Sequence, residues 1–345
     1  MNIRHLIEKI FIAGALVACL PTQATVLDLP AANPMSVGLY NSFNVYSMDL
    51  LEQCAAAGDA RCLPASGLPV QSSPGNISDQ AVVLQSANGQ SNFPSPFAPG
   101  APADDRFLTP TGNQSPTYAM GAFGAEPGGK FAGDQANRWE INLGLLQTYL
   151  SGNDLVFLFD NNQANGQQGS VIFLWGQARI VDASGATVNN LCFELSTSGG
   201  GCVDTGSDPL PTVPDYVPAV TDFCVDKIDG SSYNIGGAQN ASDCPVSALH
   251  PQGGYRVNNN LSTSVAEFAA FNQALHDAAT DAGNAQYFLQ LNIKYVSNDG
   301  GAEQLWICSD CNIDGGTDIP EPASLPLALL GMAIAGASLL RIRRK

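Results

Sequence analysis

The chain has 345 residues, enough to bury a sizeable core, and carries 31 acidic against 14 basic side chains for a net charge of −17. A surface that acidic repels phosphate backbones and anionic lipid headgroups, which argues against nucleic-acid binding and peripheral membrane attachment. Few lysines among many Asn, Gln, Ser, Gly and Asp describe an exported soluble body instead.

In chain order, the first segment has the form of a secretory signal. Arg4 and Lys9 form a short positive region, Ile10 to Leu20 is uncharged and apolar, and Pro21 breaks the run. An apolar stretch of about eleven residues is too short for a hydrocarbon core of roughly 30 Å. The small-residue pattern before Ala24 predicts cleavage there, with Thr25 as the new amino terminus. A second reading stays open, since Leu16-Val17-Ala18-Cys19 also fits a lipoprotein signal in which Cys19 carries lipid.

Ser47 to Ala57 predicts a short helix capped by Ser47 and stopped by Gly58, with Met48, Leu51 and Ala55 on its buried face. From Pro64 to Lys130, 10 prolines and 9 glycines in 67 residues leave room for extended loop and edge strands only. The core pattern begins at Trp139, where Trp139, Ile141, Leu143 and Leu145 alternate with polar or small residues. Residues 145–150 fit a strand and a helical turn equally. Leu155 to Phe159 is a continuous apolar run, the mark of a strand covered on both faces. Val171 to Gly176, Ala178 to Val181 and Leu191 to Leu195 follow as further strands, with a turn at Asp182-Ala183-Ser184-Gly185.

Residues 196–262 read as a long stapled excursion holding Cys202, Cys224 and Cys244. Ser264-Val265-Ala266-Glu267 has the form of a capping box and predicts a helix to about Ala282. Val265, Phe268, Phe271, Leu275 and Ala279 would share its apolar side, and Gly283 would end it. A closing hairpin is expected from the alternation of Tyr287, Leu289, Leu291, Ile293 and Tyr295, a turn at residues 298–301, and a return through Gln304 to Cys308. No internal repeat is evident.

The tail carries Pro320-Glu321-Pro322, then an uncharged stretch from Ala323 to Leu340, then Arg341, Arg343, Arg344 and Lys345. Eighteen apolar residues just span a thin bilayer, and the basic end places the last residues in the cytoplasm. The three parts in this order resemble the PEP-CTERM sorting signal of Gram-negative bacteria, over the tail alone. The resemblance implies cleavage near Pro320-Glu321-Pro322 by the membrane protease exosortase, after an inner-membrane intermediate, and delivery to the cell surface or matrix. It implies nothing about the fold or chemistry of the rest. A permanent C-terminal anchor is the alternative.

The expected organisation is therefore a signal at 1–24, an exported ectodomain at 25–318 with a Pro/Gly-rich region at 64–130 and a β-rich core at 135–308, and a sorting tail at 319–345. Removing both ends takes 6 of the 14 basic residues but a single acid, so the body between Thr25 and Pro322 stands near −22. It keeps eight cysteines, an even number that reads as disulfides in an oxidising compartment. Short separations favour neighbour pairing: Cys54 with Cys62, Cys192 with Cys202, Cys224 with Cys244, and Cys308 with Cys311. A bond from Cys308 to Cys192 is the competing arrangement.

Signals for chemistry are sparse. Gly124 to Lys130 has phosphate-loop spacing, but Phe131 stands where Ser or Thr must hold magnesium. Neither Gly-x-Ser-x-Gly nor His-Glu-x-x-His occurs. His276 is expected on the solvated side of its helix and His250 in a Pro- and Gly-flanked loop. Cys308-Ser309-Asp310-Cys311 has redox or zinc spacing but no helix to follow it, so a structural disulfide is favoured. Asp160-Asn161-Asn162 and the stretch from Asp310 to Asp318 offer oxygen ligands for calcium without EF-hand order, and turn chemistry accounts for both.

The reading is a mainly β ectodomain, an antiparallel sandwich or jelly roll with one or two short helices and stapled loops, and no cofactor beyond possible calcium. It would serve as a structural or adhesive surface component associated with exopolysaccharide, with signal peptidase and exosortase as export partners. The alternative is an exported polysaccharide hydrolase using a carboxylate pair that no motif marks. Mass spectrometry of the protein from its host is expected to find a start at Thr25 and no RIRRK tail. An intact tail in the mature exported pool would refute sorting by cleavage, and lipid on Cys19 would establish the lipoprotein form.

Overall fold

The computed structural model describes residues 27–29, 38–62, 65–70, 81–85, 133–135, 138–161, 171–197, 202, 217–220, 222–233, 244, 246–247, 249–258, 265–296 and 303–313. Along the chain the elements are β1 (Leu27–Leu29), β2 (Gly38–Tyr40), β3 (Phe43–Ser47), α1 (Met48–Ala56), β4 (Ala81–Gln85), β5 (Gly133–Gln135), β6 (Arg138–Asn142) and α2 (Leu143–Leu150). There follow β7 (Val156–Asn161), β8 (Val171–Val181), β9 (Thr187–Leu195), β10 (Val217–Val220), β11 (Asp222–Asp226), β12 (Ser232–Tyr233) and β13 (Gly254–Asn258). The last are β14 (Phe268–Phe271), α3 (Gln273–Thr280), β15 (Phe288–Val296), β16 (Glu303–Ile307) and β17 (Cys311–Ile313).

One sheet has the order β2-β3-β14-β7-β16-β4 and a second the order β10-β8-β15-β6-β5. In the second, β9 shares an edge of β8 with β10, the two pairing with different halves of that long strand. Their strand pairings are antiparallel, as the mainly β reading requires. One apolar cluster takes Phe157, Phe159 and Leu305 from the first sheet and Trp139, Leu289 and Leu291 from the second, so the sheets share a core as two layers do. β7 lies inside the first sheet between β14 and β16. Its continuous apolar run is explained by its position: Phe157 and Phe159 enter the shared core, while Val156 and Leu158 enter a second cluster on the opposite face.

That second cluster receives Met48, Leu50, Leu51 and Cys54 from α1 and Val225 and Val257 from a small sheet of order β12-β11-β13. α1 starts where expected, with the Ser47 hydroxyl accepting from the Leu50 N–H at 3.3 Å. It stops at Gly58, whose φ of +72° suits glycine. β4 is an edge strand, as the composition of its surroundings requires.

Four expectations need correction. The strand beginning at Trp139 ends at Asn142, and residues 143–150 are helical, because the Asn142 side chain caps them. Its oxygen accepts from the Leu145 N–H at 3.1 Å, and its amide donates to the Ala285 carbonyl at 3.1 Å. The capping box is not used. The Glu267 N–H donates to the Phe159 carbonyl and its own carbonyl accepts from the Met48 N–H, both at 2.9 Å, which ties the residue to neighbouring segments. Phe268-Ala269-Ala270-Phe271 is then β14, buried at all four positions between β3 and β7. α3 begins only at Gln273, with Asn272 as its cap, and Thr280 is its last residue, so Gly283 lies beyond it. Leu275 and Ala279 are buried on it as expected.

The expected closing hairpin is not one. β15 pairs with β6 and β8 in one sheet, whereas β16 pairs with β7 and β4 in the other, so the chain changes layers between them. Nor are residues 196–262 outside the core: β10 joins the second large sheet, and Val225, Tyr255 and Val257 pack against the first.

The structure joins Cys54 to Cys62, Cys192 to Cys202, Cys224 to Cys244 and Cys308 to Cys311, with Cα atoms 5.5–5.8 Å apart. Cys192 stands on β9 and Cys308 follows β16 of the other large sheet, which separates the competing pair. Leu158 makes the sharpest probe of the double burial. Leu158→Ala is expected to cost about 2–5 kcal/mol in urea unfolding, the range for a fully buried leucine. A loss below about 1 kcal/mol, the level of surface changes, would contradict burial of that face.

Candidate functional site

The densest group of chemically active side chains sits at one end of the small sheet. β11 finishes at Asp226, and the turn Asp226-Lys227-Ile228-Asp229-Gly230 leads toward β12. The Asp226 carboxylate organises this turn: Oδ1 accepts from the N–H groups of Ile228 at 2.6 Å and Asp229 at 3.3 Å. Oδ2 lies 2.7 Å from Nδ1 of His250. Since a carboxylate can only accept, Nδ1 carries the proton in that bond. The Ile228 N–H bond holds the Asp226 carboxyl below its ordinary range, and the His250 bond adds to this against the opposing effect of desolvation.

His250 is stacked on Tyr233 with ring centroids 3.7 Å apart and planes within 6°. Burial raises the Tyr233 phenol above its usual range. Glycine is required opposite it: a Cβ on Gly254 would sit 2.6 Å from the Val225 carbonyl oxygen and 2.7 Å from the Tyr233 oxygen. The Cys224–Cys244 disulfide packs against the same ring and fixes the base of the loop that carries His250.

A second clip comes from the loop closed by Cys54–Cys62. Arg61 donates through Nε to Asp59 Oδ1 at 3.0 Å and through Nη2 to Oδ2 at 2.5 Å, a two-pronged pair. The same guanidinium reaches over to the carbonyls of Ile228 (3.0 Å) and Lys227. Bonding to Arg61 lowers the Asp59 carboxyl to about 2, and Tyr255 contributes a longer bond at 3.4 Å. The Lys227 ammonium stands 5.1 Å over the Tyr255 ring.

The segments held this way display apolar side chains. Ile228 is 53% exposed, Val246 71% and Leu249 85%, and these are the exposed large hydrophobics among the described residues. A cavity between the large sheets has a volume of about 20 Å³ and is lined by Phe43, Phe157, Phe159 and other apolar groups together with Gln177. That is room for about one water molecule.

The other sequence candidates are scattered. His276 is not on a solvated face: its Nδ1 accepts from the Leu155 N–H at 3.1 Å and its Nε2 lies 3.3 Å from Asp154 Oδ1. Asp154 Oδ2 in turn accepts from the Ile313 N–H at 2.6 Å, so this histidine helps lock β17 in place. Helical position alone hid that, because the partner lies 121 residues away. Cys308 and Cys311 are buried in their disulfide. Asp160 is buried on β7 opposite Gln304. Among the described residues no group of three or more His, Cys, Asp or Glu could hold a metal. Cys19, Ala24, the Gly124–Lys130 loop, Asn162, Pro320, Glu321, Pro322, Arg341, Arg343 and Arg344 lie outside the described residues. Asp226, Tyr233, Asp59 and Arg61 escaped the sequence reading. The Asp-x-x-Asp-Gly turn was the one local signal, since such aspartates bond to backbone N–H groups two or three residues on.

These features define a disulfide-stapled, mainly antiparallel β protein with a rigidly pinned loop end. Residues 27–294 match the model of a domain of unknown function (DUF8239), and the chain belongs to that family. Residues 318–345 match the PEP-CTERM protein-sorting motif, which marks an exported, cell-surface-directed protein sorted by exosortase. No curated protein and no solved structure matches the chain. No helix among the described residues is long and apolar enough to cross a membrane, and the stretch from Ala323 to Leu340 lies outside them.

The Asp59–Arg61 clip has a defined pH signature. A folded pKa near 2, below the ordinary 3.8, means its stabilisation is present above about pH 4 and is lost as pH falls toward 2. NMR titration is expected to find Asp59 near 2 in the wild type and clearly raised in Arg61→Ala. Because the pair is partly solvated, its worth is about 1 kcal/mol or less. An ordinary Asp59 titration in the wild type would show that the clip does not form.

Proposed function

We propose that this protein is a structural or adhesive component of the cell surface or extracellular matrix, associated with exopolysaccharide, and that it acts by binding and not by catalysis. One observation carries the reading: both carboxylate oxygens of Asp226 and Nδ1 of His250 are spent on holding loops in place, while the same loops present Ile228, Val246 and Leu249 to solvent. A general acid or base must keep an atom directed at its substrate. Asp226 has both oxygens engaged within the protein, and so does Asp154 with His276 and Ile313. A rigid apolar surface on a very acidic body suits recognition. The PEP-CTERM tail supports placement where such recognition would be used.

The test pairs binding with activity. Mature protein from the host is expected to co-sediment with that host's exopolysaccharide and to leave soluble glycans, esters and peptides unchanged. Release of reducing ends, abolished by one Asp or Glu substitution that leaves the fold intact, would replace this reading with that of a polysaccharide hydrolase. Failure to co-sediment with any surface polymer of the host would remove the adhesive role.

A further inference from the structure

We propose that the polysaccharide binds along β8 and β9, on the face of the second large sheet that points away from the shared core, with Gln177 Nε2 and Thr187 Oγ1 as its anchors. This gives the binding reading above a site and rests on that reading.

Strand alternation separates the two faces. Leu174, Ala178 and Ile180 of β8 enter the core shared by the large sheets, as do Leu289, Leu291 and Ile293 of β15. The residues between them stand on the opposite face and are mostly polar: Gln177 and Arg179 on β8, and Gln290, Asn292 and Lys294 on β15. Glu140 of β6 and Glu194 of β9 join them. Arg179 donates to the Gln290 side chain, whose amide donates to Glu140 at 2.7 Å, so a row across three strands is already fixed. Gln177 lies opposite Asn292 on one side and Glu194 on the other. The register with β9 breaks after Arg179, where Asn189 and Asn190 take positive φ, and resumes with Thr187 opposite Val181. Thr187 therefore shares this face, while its neighbour Val188 packs against the shared core.

Two atoms here are not used by the fold. Gln177 is 2% exposed, and its Nε2 and Thr187 Oγ1 are both buried with no hydrogen-bond partner among the described residues. Nearly all buried polar groups are bonded, because an unbonded one carries the full cost of leaving water. A ligand that bonds to these two removes that cost on arrival. The anchors stand about 14 Å apart, since Gln177 and Val181 are four residues apart on β8 at about 3.4 Å per residue. That separation suits an extended chain better than a single sugar ring. β9 pairs with β8 alone among the described strands and is half-buried or exposed from Thr187 to Glu194, which provides the approach.

The chemistry selects the occupant. Nε2 can only donate, and a threonine hydroxyl donates or accepts, so the ligand must present an acceptor at one anchor. Glu194 and Glu140 beside them, on a body near −22, disfavour an anionic acceptor. Neutral hydroxyls meet both conditions, and a neutral polysaccharide repeats them along its length. A peptide strand would instead pair with a sheet edge through its backbone, whereas these anchors project from the face.

Mature protein from the host is titrated with oligosaccharides released from that host's exopolysaccharide by mild acid hydrolysis. The Gln177 side-chain amide signal, identified by its absence in Gln177→Met, is expected to shift in NMR. Because neither atom has a bond to lose, Gln177→Met and Thr187→Val are expected to keep or raise the urea midpoint. Each should lower oligosaccharide affinity at least about tenfold, the worth of about one hydrogen bond. The two variants check each other if one packs poorly. A midpoint lowered in both shows that the fold uses these atoms and overturns the inference. Full affinity in stably folded variants leaves the atoms to an internal water, which overturns the site and leaves the adhesive reading standing. Wild-type binding with the Gln177 amide unmoved does the same. A wild type that binds neither the oligosaccharides nor the intact polymer overturns the adhesive reading and the site with it.

Discussion

The structure depends on one sheet being buried on both faces. β7 presents Phe157 and Phe159 to one cluster and Val156 and Leu158 to another, and neighbouring β14 divides likewise, with Phe268 and Ala270 on one side and Ala269 and Phe271 on the other. A sheet with two apolar faces needs covering on each. The second large sheet and helices α2 and α3 cover one, through Leu146, Leu150, Leu275 and Leu289 among others. α1 and the small sheet cover the opposite face. The small sheet is thus anchored by Val225, Tyr255 and Val257, which leaves its end with His250 and Ile228 clear of the core.

The sequence was informative wherever a residue's neighbours in the chain were also its neighbours in space. Ser47 and Gly58 bound α1, the Asp182–Gly185 turn joins β8 to β9, and the continuous run at 155–159 is covered twice. Reading failed where a distant partner decided the outcome. Ser264-x-x-Glu267 obeys a helix rule, yet Glu267 is held by Phe159 and Met48, and Phe268 and Phe271, which would have begun the helix face, fill a central strand. Phe268 and Phe271 are spaced for a helix only by coincidence, since with two alanines between them they serve a doubly buried strand equally well. The alternation in β15 predicted its strand correctly, but alternation cannot say that its successor belongs to the other layer.

The site was less legible than the fold for the same reason. Asp226 and His250 are separated by 24 positions, and Arg61 meets Ile228 across 167. Lone acids in a chain with 31 of them carry no label. What distinguishes Asp226 is that its strand end receives a turn from one side and a disulfide-fixed loop from the other.

The ends of the described body extend this argument. β1 runs parallel to β17, with Leu27 opposite Cys311 and Leu29 opposite Ile313. Leu27 and Leu29 are buried in the second cluster, and the Leu27 N–H donates to the Asp310 carbonyl at 2.8 Å. From the other side, Asp154 exchanges backbone and side-chain bonds with Cys311 and Ile313 and is itself held by His276. β17 is therefore gripped by β1 and by a loop following α2, with the Cys308–Cys311 ring beside it. Only four residues separate Ile313 from the start of the sorting motif at 318, a reach of about 15 Å fully extended. With Cys311 buried and the strand bonded from both sides, the folded body extends to within four residues of the motif that directs sorting.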